Sequence, residues 1–261
     1  MRIIERVTDN YLILTDDNGS AYSFNSSFFV SEDALVSRSS ISDLAFADGG
    51  IQTADGKKSS RSITVEGAIY SYTPADFEIQ MRALVLAIEK GGFLSIHSDV
   101  VNRNIEVRNA KISPDWKRYA QVKMIQIVFI CPFPYWQDTA YTDDTNILAG
   151  DGTFATDASG SDGVILPIIT VAADQGVDVP SFKITNMDDG GQYLSMSCAL
   201  FYAGSVLVID NRLGTIKLNA NDARLYMDIG SAWLRLQSMI NNFNYLGAAC
   251  TVTISFKRVY A

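Results

Sequence analysis

One stretch constrains the rest of the chain: Thr73 to Gly92, TPADFEIQMRALVLAIEKGG. Its spacing predicts a helix. Thr73 is a natural N-cap, and Pro74 at the first helical position gives up an N–H that would have had no partner there. Asp76 can reach back to a free N–H and suits the positive end of the helix dipole. Phe77, Met81, Leu84 and Ile88 fall on one stripe, which Val85 widens. Lys90 sits at the negative end and Gly91-Gly92 stop the helix. Strand-like sequence lies on both sides, Arg61–Tyr72 before and Phe93–His97 after. A single amphipathic helix among strands must lay its stripe on a sheet, because neither can bury its face alone.

The segments before the helix read as short strands. Leu12 and Leu14 alternate with polar positions, and Asn18-Gly19 is a type I′ hairpin signal. Arg38–Phe46 reads as a further strand. Ala47–Ser60, ADGGIQTADGKKSS, is polar and glycine-bearing, and is expected to be a long exposed loop. Such a loop is either a floppy tip or a segment that orders on meeting a partner. Arg61–Tyr72 alternates with Ile63, Val65, Gly67 and Ile69 on one face. Arg103–Ile112 alternates again around Ile105 and Val107, and Ser113-Pro114-Asp115 reads as a turn. Gln121–Cys131 is an apolar strand whose phase slips at Met124-Ile125, so a bulge is expected there. Pro132 and Pro134 end it.

After Trp136 the texture changes. Gln137–Gly163 has few large apolar residues and reads as a linker or a loose edge. From Val164 the chain reads as eight short strands with tight separators: Val164–Ala172, Ser181–Thr185, Gln192–Phe201, Val206–Asp210, Thr215–Asn219, Leu225–Ile229, Trp233–Gln237 and Ala249–Tyr260. NNFNYLG is taken as one of the separators. The fold class is therefore mainly β: an α+β first domain with one central helix, then a C-terminal β-sandwich of jelly-roll type. The boundary falls near 136/137, giving domains 1–136 and 137–261, with the terminal strand free to return to the first domain.

Chemistry is sparse. The single histidine, His97, adjoins Ser98-Asp99, but sequence adjacency is not triad geometry. No close spacing of Cys and His suggests zinc, and no glycine-rich phosphate loop of standard spacing occurs. Asp151, Asp157 and Asp162 do not match a calcium loop. No catalytic residue, cofactor or metal is expected, and the chain is not read as an enzyme. The three cysteines, Cys131, Cys198 and Cys250, are far apart and suit buried thiols. MRIIERVTDN lacks the apolar core of a secretory leader, and no apolar run reaches the ~18 residues of a membrane span. Net charge is −8 over 261 residues, with thirteen acidic against seven basic residues after position 136. That balance does not grip nucleic acid, but it would let a strand slide past.

Surfaces are the better place to look. Trp116-Lys117-Arg118-Tyr119 follows the turn after Ile112, and Trp, Tyr and Arg dominate interface hot spots. It either folds back over its own hairpin or meets a partner. Trp233, beside Leu234 and Leu236, is either core or a sugar-stacking platform.

The order of these pieces resembles a known family. RSITVEGAIY leads into the helix, which ends in KGGFLSI; then come IEVRNAKI, VKMIQIVFICPFPYW and a separate sandwich. VLVIDNRLGTIKLN and WLRLQSMINNFNYLGAACTVTISFKRVY also fit. The chain resembles the distal tail proteins of long, non-contractile-tailed phages. The resemblance implies a galectin-like sandwich and a structural role: a hexameric ring joining the tail tube protein to the hub or tail-associated lysin. It implies DNA passing through without specific binding, a receptor-binding protein held on the outside in some relatives, no membrane insertion, and a virion tail tip assembled in the host cytoplasm. The residues' own candidates for ring or partner contact are Trp116, Arg118 and Tyr119, with Asp48, Lys57 and Lys58 from the polar loop. The alternatives are a carbohydrate-binding module, resting on Trp233 or Trp136, and a subunit of a tail tube.

Overall fold

The computed structural model describes residues 2–3, 11–33, 37–43, 50–97, 102–114 and 122–261. It divides into two compact units, Met1–Thr139 and Ala140–Tyr260.

The first unit is an antiparallel sheet. Its strands are β1 (Arg2–Ile3), β2 (Tyr11–Thr15), β3 (Ala21–Ser23), β4 (Phe29–Glu32), β7 (Arg61–Tyr70), β8 (Gly92–His97), β9 (Asn102–Pro114) and β10 (Val122–Cys131). Their order across the sheet is β1-β4-β7-β10-β9-β8-β2-β3. A short β11 (Trp136–Asp138) lies along β9, with Gln137 opposite Asn104. Alternation decides which face is inside. Ile63, Val65 and Ile69 of β7 and Ile125, Ile127, Phe129 and Cys131 of β10 are all within about 1% of full burial. Leu14, Leu94, Ile105 and Val107 complete this core from the neighbouring strands.

The one α-helix among the described residues, α1 (Pro74–Lys90), packs on this core through Phe77, Leu84 and Ile88. Thr73 caps it: its Oγ1 accepts from the Asp76 N–H at 3.1 Å. Asp76 does not reach back to a backbone N–H as expected; its carboxylate accepts the Thr73 hydroxyl proton at 2.7 Å. Gly91 and Gly92 end the helix with φ of 66° and 126°. Gly92 is required on two counts, since a Cβ there would lie 2.1 Å from the Thr15 carbonyl oxygen.

Several expectations are corrected. The turn after β2 is not type I′: Gly19 donates to the Asp16 carbonyl at 2.9 Å and takes φ 84°, while Asn18 keeps an ordinary negative φ. Asp16 Oδ1 accepts from Asn18 and Ser20, which favours this longer loop. Residues 50–58 of the expected loop Ala47–Ser60 form a strand, β6 (Gly50–Lys58), paired antiparallel with β5 (Ser37–Asp43). A two-stranded ribbon satisfies its backbone by pairing and needs no apolar face, so the polarity was misleading. Met124-Ile125 carries no bulge: β10 stays in register with β7 throughout, and the irregularity lies at Phe129/Ile130 against β9. Met124 is an exposed apolar residue on the outer face, which is what mimicked a phase slip. Ser113 and Pro114 belong to β9, opposite Gln126 and Ile125.

The second unit is a two-sheet sandwich. One sheet runs β12-β21-β14-β17-β18-β19, from β12 (Thr142–Leu148), β14 (Ile168–Ala173), β17 (Val206–Asp210), β18 (Thr215–Leu218), β19 (Asn221–Asp222) and β21 (Cys250–Phe256). The other runs β13-β20-β15-β16, from β13 (Gly152–Asp157), β15 (Ser181–Asn186), β16 (Gln192–Ser197) and β20 (Ile240–Gly247). Ile169, Leu207, Val252 and Ile254 of one sheet and Phe182, Leu194, Phe243 and Tyr245 of the other are buried in the core between them. Phe154 stacks on Phe243 at 5.1 Å between ring centroids.

The linker expected at Gln137–Gly163 is therefore structure. β12 and β13 each close one end of a sheet, so the edge reading holds and the looseness does not. NNFNYLG, expected as a separator, is most of β20. Its asparagines hid a clean alternation in which Asn241, Phe243 and Tyr245 point inward. The strands expected at Leu225–Ile229 and Trp233–Gln237 are absent. Arg224–Tyr226 is a 3-10 turn, and Leu236 makes one isolated bridge to Ile165.

Candidate assembly surface

Among the described residues no three His, Cys, Asp or Glu side chains are grouped to hold a metal. No helix is long and apolar enough to cross a membrane. The chemistry on view is that of surfaces and of the polar staples behind them.

In the first unit, a buried charge holds the strands that carry the surface. The Arg61 guanidinium lies 2.8 Å from Glu32 Oε2, with both side chains under a tenth exposed. Trp136 Nε1 donates to the same oxygen at 3.0 Å. These contacts tie β4, β7 and β11 together. Arg61 Nε has no hydrogen-bond partner, so removing Glu32 would strand a buried cation. At the far end of the helix, Lys90 donates to Asp16 Oδ2 at 2.9 Å. That bond and the two backbone bonds hold the Asp16 carboxyl below its ordinary range. Cys131, opposite Arg61 in the ladder, is pushed up to about 12 by burial, so it stays a thiol.

Outside this frame, the large apolar side chains exposed among the described residues of the unit fall in two places. Tyr72, Ile79 and Leu86 lie on the helix and its approach; Tyr72 is 95% exposed and Ile79 68%. Tyr70, Met124 and Ile130 lie on the outer face of β7 and β10, where Val122 pairs with Tyr70 and Met124 with Ala68. Between Met124 and Ile130 on that face, Gln126 Nε2 donates to Glu66 Oε1 at 2.5 Å.

In the second unit the strongest polar cluster is structural. Arg235 donates to both oxygens of Asp189, at 3.0 and 3.1 Å, and Gln237 adds a third bond at 2.6 Å. Asn241 receives the Gln237 N–H and gives its own protons to the Gln237 and Met239 carbonyls. This pins the strand-free segment 233–239 against the four-stranded sheet. Trp233 is half-buried and lies along the Gly214 backbone, where a Cβ would sit 3.6 Å from its ring. Trp136 is buried.

Of the contact residues expected from sequence, Trp116, Arg118, Tyr119 and Asp48 lie outside the described residues. Lys57 and Lys58 are at the end of strand β6 rather than in a loop, a correction that follows from the pairing with β5. His97 ends β8, and Ser98-Asp99 lie outside the described residues. Sequence reading missed the outer β7–β10 face and the outer helix face. The signals were there: Met124 and Ile130 sit at the even positions of a strand whose odd positions are core, and Ile79 and Leu86 lie off the core stripe.

The chain thus carries a helix-bearing antiparallel sheet followed by a two-sheet sandwich, with apolar residues kept on outer faces. Residues 162–260 match the family model "Siphovirus-type tail component, C-terminal domain". Across both units the fold is similar to the Dit protein (gp 19.1) of phage SPP1, described as a paradigm of the hub adsorption apparatus in phages infecting Gram-positive hosts. The TM-score is 0.68 at 13% identity, over 95% of this chain and 98% of that one. It is also similar to a chain of the phage P2 baseplate in its activated conformation, with TM-score 0.51 and 11% identity over 95% of this chain and 97% of that one. No curated protein matches the chain by sequence. The resemblance to distal tail proteins, and the mainly β fold it implied, are borne out.

Proposed function

We propose that this protein is a ring-forming structural subunit of a phage tail tip, joining the tail tube to the hub or tail-associated lysin. The observation that carries this reading is the likeness over 95% of the chain to the SPP1 hub component, together with the tail-component family of the second unit. The ring is a hexamer built by residues 1–136, and residues 137–261 hold a receptor-binding protein. Trp116, Arg118, Tyr119, Asp48, Lys57 and Lys58 are its candidate contacts. A net charge of −8 keeps DNA moving through rather than held. The subunits assemble in the host cytoplasm and end in the virion. No catalysis is assigned.

Mass photometry of the purified full chain tests the proposal. Isolated particles of six-subunit mass are expected. Long tubes would instead make it a tube subunit. Single chains that bind glycans on an array, and lose that binding on Trp233→Ala, would make it a carbohydrate-binding module.

A further inference from the structure

Resting on the reading that residues 137–261 hold a partner protein, we infer how that partner docks: an extended segment bearing Lys or Arg adds itself as a strand to the open edge of β12. Bond direction and register together fix which backbone groups of the sandwich point outward. The Ala173 N–H donates to the Ser205 carbonyl and its own carbonyl accepts from Gly204, so its groups face the β17 side. Alternation then turns Ile168, Thr170 and Ala172 toward β21, opposite Ser255, Thr253 and Thr251. Val252 and Ile254, between these, turn the other way and bond Asn146 and Asp144 of β12. The N–H and C=O groups of Asp143, Thr145 and Ile147 therefore point away from the sheet. Among the described residues no hydrogen bond reaches them. On β13 the same alternation frees Thr153, Ala155 and Asp157, because the Asn242 carbonyl of β20 faces Met187 on the β15 side. The opposite side of the sandwich is closed by its own chain. Along β16 the Ser195 and Tyr193 carbonyls accept from Asp228 and Ala232, and the Ser195 N–H donates to Ser231 Oγ.

An edge is satisfied by main-chain bonds, so its occupant is an extended strand rather than a helix. Charge decides whose strand it is. From Met124 to Phe182 the chain has eight Asp and no Lys or Arg. Asp143 is exposed on the β12 edge itself, and Asp151 and Asp157 are exposed along β13, which follows β12 after one short turn. The cations of this unit that adjoin these strands are placed elsewhere. Lys257, over the Tyr141 ring, and Arg258, bonded to the Ser159 carbonyl, lie past the Thr142 end of β12, where Thr142 pairs with Phe256. Lys183 lies over Tyr193, toward β16. Pairing two copies edge to edge would bring two acidic edges into one seam, so the site disfavours a second copy. A partner segment with Lys or Arg at alternate positions instead sets a cation opposite Asp143. Ile147, 81% exposed at the other end of the edge, offers it an apolar contact.

The test titrates the full-length chain against a dye-labelled, capped peptide that alternates Lys with Val and Thr, read by fluorescence anisotropy. The parent should bind it. Methylating the peptide's backbone nitrogens, which removes its N–H donors and keeps its charge, should weaken binding about tenfold. Replacing its Lys by Glu should abolish binding. Thr145→Pro deletes an outward N–H and blocks the edge while sparing the ladder to β21, losing only the hydroxyl contact with Thr253. It should weaken binding about tenfold and melt within a few degrees of the parent. Ala155→Pro, the same change on β13, should leave binding as it is. Asp143→Lys keeps every backbone group and should weaken binding about threefold, a readout that stands even if Thr145→Pro fails to fold. Equal binding of the methylated and unmethylated peptides would reduce the site to diffuse ionic attraction and overturn the inference. So would a parent that binds neither, a folded Thr145→Pro chain that binds like the parent, or a loss confined to Ala155→Pro. A chain that fails these tests and still forms rings by mass photometry keeps its proposed tail-tip role. A parent that stays single at every concentration loses that role, whatever the peptide does.

Discussion

The Asn219-Ala220 turn between β18 and β19 has both residues at positive φ, 46° and 71°. Asn tolerates this, and here its Oδ1 also accepts from the Val206 N–H at 2.9 Å. Ala gains nothing in return. Ala220→Gly should raise stability by about 0.5–1 kcal/mol in urea unfolding, since glycine carries no Cβ penalty in this region. A loss would show that the alanine methyl packs favourably. Asp16 makes the opposite kind of point. Its folded-state pKa is depressed, first by the Lys90 hydrogen bond, so its contribution is present above the ordinary aspartate value and disappears as pH falls through the folded one. Urea midpoints of the parent should therefore decline below about pH 4. Asp16→Asn should flatten that decline and lower the midpoint at pH 7. An unchanged profile would remove the Asp16–Lys90 pair from the account.

At the level of elements, the helix was legible because each of its signals is local: cap, proline, stripe and terminal glycines all act within twenty residues. The core strands were legible for the same reason, as Ile63-Val65 and Ile105-Val107 alternate on their own. What sequence hid were elements defined by a distant partner. β6 is polar because β5 satisfies its backbone. β20 carries asparagines because Asn241 faces the 233–239 segment rather than solvent. Asn241→Leu should therefore behave unlike an ordinary polar-to-apolar core change. It leaves the Gln237 N–H without its acceptor, while the Gln237 and Met239 carbonyls keep the Met239 and Ala158 N–H groups, and should cost on the order of 2 kcal/mol by denaturant unfolding. A neutral result would mean that the segment is held by its other ties, Asp189–Arg235, Asn186 to the Arg235 carbonyl and the Leu236–Ile165 bridge. The exposed apolar faces were hidden for another reason. Exposed apolar residues on a core strand and a core helix look like core until burial separates the two faces.

At the scale of the whole molecule, the first unit keeps its helix between strands that are close in sequence, with β7, α1 and β8 following one another. The sandwich is wired differently. β12 pairs with β21 and β13 with β20, so its opening strands lie against its closing ones. Thr145 and Thr253, whose hydroxyls meet at 3.0 Å, are 108 positions apart. β21 also supplies the other neighbour of β14, placing it between two strands made long before it. On the ribosome, then, the sandwich has no way to seal itself while residues 140–249 emerge. It waits for one late ribbon of polypeptide that threads between strands already synthesised. A chain halted just short of Cys250 should be digested by protease throughout 140–249, however well its earlier strands read on their own.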